Sequence, residues 1–458
     1  MALTILAWLM VVVFMYMIMS KRMSPFTALI VVPLVFTLIG SVLGLYPEQA
    51  MKLMEGNSIM DQVLVIGQWI KVGITKVAPT GVMLLFAILY FSIMLNAGVF
   101  DPVTKKMIQF AKGDPMKIVI ATAIVAAAVS LNGDGTTTTL ITCTAFVPIY
   151  KKLKMKLMNL AVVTVLMNTI MNLLPWGGPT ARVISVLPEL AGRDNEVLAA
   201  LAPGMIASVI YMLAVAAYLG MKERKRLGIT HLTPADIEEM TASKNEAEAA
   251  LKRPQFFIIN MVMTLALITL LMTGTFPSIA LFSVGTVFAL LLNYPNLKEQ
   301  KQVIHNNAGD ALAVVILVFG AGVFTGLFEG TGMAVALAES LASVIPSSLG
   351  RFWGLVVAVL SAPGTFFLSN DAFYYGVLPV LSKAGLQYGF SAIELGVASL
   401  LGQAFHLLSP LVAFIYLLLN LTEQDLGEWQ KESAKWALGI FMIFIVVAAL
   451  TNAVPLFK

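Results

Sequence analysis

Two aspartates, Asp134 and Asp371, stand inside long apolar stretches of this 458-residue sequence, each at the centre of a polar interruption. Asp134 belongs to Asn132-Gly133-Asp134-Gly135, followed by four threonines, Thr136 to Thr139; Asp371 belongs to Ser369-Asn370-Asp371. A plain helix cap would explain either residue, but Asn or Ser caps equally well without bringing a charge to membrane depth. An ionisable group in such a place is costly and points to function, here to holding a hard cation or a proton. Asn132, Thr136, Thr137, Ser369 and Asn370 add neutral donors and acceptors suited to carboxylate and hydroxyl groups.

Two further apolar stretches are broken by proline and glycine, at Leu174-Pro175-Trp176-Gly177-Gly178-Pro179 and at Leu408-Ser409-Pro410. Asn172, Gly177 and Gly178 read as break-forming positions of close approach. Beyond the first break, Thr180 offers a hydroxyl and Arg182 a planar guanidinium that matches a carboxylate. At the second, His406 can hydrogen-bond or carry a proton, and Ser409 lies beside it. His231 and His305 fall in stretches read as loops and take no role. Two carboxylates facing an anion require something positive between them: a divalent metal, a sodium ion or a proton. Oxygen ligands suit Mg²⁺ or Ca²⁺, and the single cysteine, Cys143, excludes a thiolate cluster.

The elements that must position these residues follow from composition. Hydrophobic residues make up 59% of the chain and charged residues 12%, with a mean hydropathy of +0.88. A soluble domain carries about 25% charged residues, so lipid must cover much of this surface. The sequence predicts an all-α polytopic membrane protein with spans at about 3–20, 25–45, 78–97, 157–192 (broken), 200–220, 256–273, 276–293, 310–328, 391–420 (broken) and 434–454. Hairpins that enter and leave on one face are expected at about 116–150 and 352–383. The apolar start, without a basic n-region, reads as a retained span.

A charged segment at about 221–255 divides the chain into residues 1–220 and 256–458. Each part carries five spans, one hairpin and one broken helix. An odd number of crossings turns the second part over, which is the inverted-repeat plan of many secondary transporters. Local echoes agree: Asn132-Gly133-Asp134 with Ser369-Asn370-Asp371, and Asn172-Leu173-Leu174-Pro175 with His406-Leu407-Leu408-Ser409-Pro410. With re-entrant hairpins, one face collects Lys21, Arg22, Lys105, Lys106, Lys112, Lys117, Lys151, Lys152, Lys154, Lys156, Lys298, Lys301 and the basic linker. The other collects Lys52, Lys71, Lys76, Arg193, Arg351, Lys383 and Lys458, an asymmetry of about three to one that marks the first face as cytoplasmic. Both termini are then expected outside.

Four strings carry a family resemblance. Ser130 to Thr138 (SLNGDGTTT), Met171 to Arg182 (MNLLPWGGPTAR), Leu368 to Pro379 (LSNDAFYYGVLP) and Leu400 to Val412 (LLGQAFHLLSPLV) resemble the citrate–divalent metal:proton symporter family, CitMHS, of the ion transporter superfamily. The family often has Asp where this chain has Asn132. The resemblance implies uptake of citrate complexed with a divalent cation, coupled to protons, in a bacterial plasma membrane. It also implies an elevator-type transport domain moving against a scaffold in a homodimer, with no permanently bound cofactor and no nucleic acid. Asp134 and Asp371 are then assigned to the metal or coupling proton. Asn132, Thr136, Thr137, Asn172, Gly177, Gly178, Thr180, Arg182, Ser369, Asn370, His406 and Ser409 are assigned to the substrate.

Two rival transport readings use the same residues: a sodium-coupled di- or tricarboxylate symporter and a cation/proton exchanger, the latter leaving the neutral donors unexplained. Paired membrane aspartates also bring an intramembrane aspartyl protease to mind. That chemistry needs a G-x-G-D string, and Leu131 occupies the place of the first glycine. An enzyme is not expected.

Overall fold

The computed structural model describes residues 1–46, 59–230, 250–344 and 346–458, and every regular element among them is helical. Lys52, His231 and the middle of the expected linker lie outside the described residues. Among the described residues, eight helices are long and apolar enough to cross a membrane.

The first two are α1 (Ala2–Met19) and α2 (Pro25–Val42). Ser24 starts α2 by accepting the Thr27 amide at 3.2 Å, with Pro25 at the first helical position. The third, α3 (Ile59–Asn96), begins well before the expected 78. In the second half of the chain, α12 (Leu297–Gly330) likewise begins early, at 297 and not 310. His305 therefore lies on a helix, not in a loop, and so do Lys71 and Lys76. A hydropathy window registers only the lipid-matched part of a helix. The start of α12, capped by Asn296 and rich in Lys, Glu and Gln, is made of good helix formers that extend the same rod. At 1.5 Å per residue such rods run to about 50 Å, beyond the roughly 30 Å of hydrocarbon.

Helices α3 and α12 form the most extensive packed pair. Glycines allow it: a β-carbon on Gly73 would lie 2.0 Å from the Gly322 carbonyl oxygen, and one on Gly326 2.3 Å from that of Trp69. Backbone-to-backbone approach of this kind is how helices associate where no water drives them together.

Between these rods the chain runs through α4 (Asp101–Ala111), α5 (Pro115–Val129), α6 (Gly135–Lys152), α7 (Leu157–Met171), α8 (Gly178–Val186), α9 (Asp194–Leu227), α10 (Phe257–Thr273) and α11 (Ser278–Asn293). After α12 come α13 (Met333–Val344), α14 (Trp353–Phe367), α15 (Leu378–Gln387), α16 (Ala392–Leu400), α17 (Ala413–Thr422) and α18 (Leu426–Leu450). The span reading missed the short α4 and α13, since neither is a lipid-length run. Thr104, Ile108 and Ala111 bury one face of α4. Helix α9 passes the expected boundary at 220 and continues to Leu227.

An ion network ties the central pair to later elements. Glu329 on α12 bonds Lys76 of α3 and Lys383 of α15, both at 3.0 Å, and Lys383 reaches Glu189 at 2.9 Å. On the outside, α10 exposes Ile258, Ile259, Val262 and Leu265, as a lipid-facing helix must.

Candidate functional site

The first hairpin consists of α5 and α6. Helix α5 tightens into a 3₁₀ turn at Ser130–Asn132, and the chain reverses at Gly133, whose φ of +78° suits glycine. Asp134 then caps α6: its Oδ2 accepts the Thr137 amide and the Thr137 hydroxyl, both at 2.6 Å. Asn132 Oδ1 accepts the Asp134 amide at 2.9 Å. Asp134 and Thr136 are exposed, and Asp134 makes no ion pair among the described residues. The cap that sequence reasoning set against function is therefore real, yet it engages one carboxylate oxygen only.

The second hairpin consists of α14 and α15, joined through Ser369-Asn370-Asp371 and a π-helical turn at Ala372–Val377. Ser369 Oγ accepts the Ala372 amide at 3.1 Å. Asp371 Oδ1 pairs with Arg182 Nε at 2.7 Å, and both side chains are about four-fifths buried, at 17% and 21% exposure. Wide helical turns of this kind recur at functional sites, where they re-aim side chains.

Both tips meet the first broken helix. Helix α7 ends at Met171, and Asn172 Oδ1 accepts the Gly178 amide across the break at 3.2 Å. Trp176 Nε1 donates to the Leu131 carbonyl of the first tip at 2.7 Å while its ring stacks on Phe91. Gly133 packs against the Trp176–Gly177 backbone. One turn into α8, Arg182 Nη1 donates to the Gly178 carbonyl at 2.8 Å and Nε holds Asp371. The second broken helix, between α16 and α17, lies against the second hairpin: the Gly402 amide donates to Ser361 Oγ at 2.9 Å. His406 Nδ1 donates to the Thr365 carbonyl at 2.7 Å. A carbonyl only accepts, so Nδ1 carries a proton, and when the ring is neutral Nε2 is its acceptor.

The structure thus brings Asn132, Asp134 and Thr137 together, and separately links Asn172, Gly178, Arg182 and Asp371. Three assigned residues face inward. Thr180 is fully buried and donates to the Leu173 carbonyl at 2.8 Å. Ser409 is fully buried and accepts the Leu411 amide at 3.2 Å. Gly177 lies against the Asn172 carbonyl. These three shape the breaks. Sequence reasoning missed Gln403, whose Nε2 bonds Asn370 Oδ1 at 3.0 Å and the Tyr374 hydroxyl at 2.6 Å. It also missed Asn168, which donates to Ser130 Oγ at 3.1 Å. An amide inside an apolar stretch was the available signal for both.

Irregular backbone at membrane depth is tolerated only where protein or a cavity surrounds it, and here four interruptions converge around one ion pair and one open carboxylate. The fold is that of a multi-pass membrane protein whose helices are interrupted by polar and glycine-containing breaks. The citrate transporter family model, CitMHS, matches residues 14–402, and the chain belongs to that family. It is 46% identical to a Bacillus subtilis (strain 168) protein named citrate transporter, over 99% of both chains. It is 40% identical to that organism's Mg(2+)/citrate complex secondary transporter, again over 99% of both. Among solved structures, the Alcanivorax borkumensis YdaH transporter shares the fold, with a TM-score of 0.58 at 13% identity, covering 93% of this chain and 100% of that one.

Proposed function

We propose that the chain is a secondary transporter that takes up citrate as its complex with a divalent cation of the Mg²⁺ or Ca²⁺ class, coupled to protons. The observation that carries this reading is the unequal treatment of the two aspartates. Asp371 is neutralised by Arg182, whereas Asp134 keeps an open carboxylate beside the exposed Thr136. Counting Asp134, Asp371 and Arg182, the site bears one net negative charge and repels bare citrate. A cation already chelated by citrate resolves this, since Asp134 need supply only one ligand. Among the described residues no group of three or more His, Cys, Asp or Glu side chains could chelate an ion alone, so citrate and water would complete its shell. The name of the Mg(2+)/citrate relative supports the same cargo.

In this reading Asn132, Thr136, Asn370 and Arg182 Nη2 hold citrate oxygens, and His406 Nε2 is the candidate proton carrier. Residues 1–220 and 256–458 are inverted repeats, with α3 matching α12 and the first hairpin matching the second. The hairpins and broken helices form a transport domain that moves as an elevator against the remaining helices, in a homodimer. The protein lies in a bacterial plasma membrane with its termini outside and the linker cytoplasmic.

Labelled-citrate uptake into proteoliposomes, with an imposed pH gradient and a panel of metals, tests this. Uptake requiring a divalent ion and an inward proton gradient is expected. Uptake indifferent to metal but dependent on sodium would overturn it in favour of a sodium-coupled carboxylate carrier.

A further inference from the structure

Away from the helix breaks, a cavity of about 440 Å³ opens where the start of α7, the end of α9 and the start of α18 meet. Its size lies within the roughly 300–1,000 Å³ range of small-molecule sites. Lys156, Lys222, Arg226 and Lys435 line it, against two acids, Glu223 and Glu432, which leaves two positive charges in excess. Arg226 is paired with Glu223 at 2.5 Å and Lys435 with Glu432 at 2.6 Å. Lys156 and Lys222 have no carboxylate within ion-pair distance among the described residues.

The surroundings suit a membrane boundary. The Tyr218 and Trp436 rings meet edge to face at 5.9 Å, as an interfacial aromatic pair. Lys222 Nζ lies 4.8 Å from the Tyr218 ring centre and Lys435 Nζ 5.5 Å from that of Trp436, the pairing of cations with aromatic rings that suits a headgroup boundary. Tyr218, Met221 and Leu438 are exposed beside it and present apolar surface of the kind that faces acyl chains. We propose that this cavity binds a phosphoryl anion at the membrane surface, supplied by an anionic phospholipid headgroup or by free phosphate. Four cations around one cavity suit a compact anion, and basic pockets between transmembrane helices are known headgroup sites.

Binding to the intact purified transporter is measured by native mass spectrometry, with phosphatidylglycerol, phosphatidylcholine and inorganic phosphate at constant ionic strength. The wild type should retain phosphatidylglycerol in preference to phosphatidylcholine, and Lys222→Gln combined with Lys435→Gln should weaken that retention by about tenfold or more. Lys156→Gln, which breaks no ion pair, should weaken it in the same direction. Retention of inorganic phosphate with the same sensitivity to these substitutions also supports the site and identifies a soluble source. Equal retention of both lipids without phosphate binding, or variants that bind as the wild type does, overturns it. No transport is measured, so the result is separable from the citrate reading.

Discussion

At the tip of the first hairpin Asp134 is exposed and holds only its own arm, through Thr137. At the tip of the second, Asp371 is partly buried and paired with Arg182, 189 residues away in sequence. The first tip is anchored by neutral contacts, Trp176 to the Leu131 carbonyl and Gly133 against the helix break. The second is anchored by charge and by Gln403. Similar motifs thus serve unlike ends: one carboxylate is left exposed, and the other fastens the second hairpin to the broken helix of the first half.

The sharpest way to break this contrast is to remove one partner of the ion pair. Arg182→Gln strands a largely buried carboxylate and should cost about 3–5 kcal/mol. Thermal unfolding in detergent should show the loss, and citrate uptake should fall below detection. Asp371→Asn should do much the same, while the double variant should regain most of the stability and none of the transport. An Asp371→Asn protein that transports normally would end the distinction between the tips.

Asp134→Asn should behave oppositely. Asn caps a helix about as well as Asp, so stability should stay within about 0.5 kcal/mol. Metal-dependent uptake should fall on the order of fiftyfold to a hundredfold, the equivalent of one charge-assisted contact of roughly 2–3 kcal/mol.

Smaller effects sharpen the picture. Trp176→Phe keeps an aromatic ring for the stack on Phe91 but removes the bond to the first tip. It should cost about 1 kcal/mol in the same unfolding assay and slow uptake a few-fold. Lys76→Gln removes the most exposed member of the Glu329 network and should cost the least stability, less than about 1 kcal/mol. A larger change would mean that the network, and not the Arg182 pair, holds the second hairpin in place.

Much of this arrangement was legible in the sequence because irregular backbone in lipid is expensive: Gly133, Pro175, Gly177 and Pro410 marked three of the four interruptions, Ser369-Asn370-Asp371 marked the fourth, and Asp134 and Asp371 stood out as charges among apolar residues. The pairing of Arg182 with Asp371 was not legible, since nothing local to either residue names its partner. Arg182 was assigned to substrate, yet two of its three nitrogens already hold protein acceptors, Asp371 and the Gly178 carbonyl. Thr180 and Ser409 were chosen for their hydroxyls, which are turned to their own backbone, as Ser and Thr commonly are. The lengths of α3 and α12 escaped because hydropathy measures the lipid path and not the rod.

The most direct measurement is calorimetric titration of citrate into purified wild-type and Asp134→Asn protein, each with and without saturating Mg²⁺. Tight binding that requires Mg²⁺ in the wild type and is lost or no longer strengthened by Mg²⁺ in Asp134→Asn is the expected result. Binding strengthened equally by Mg²⁺ in both proteins would contradict the assignment of the open carboxylate to the metal.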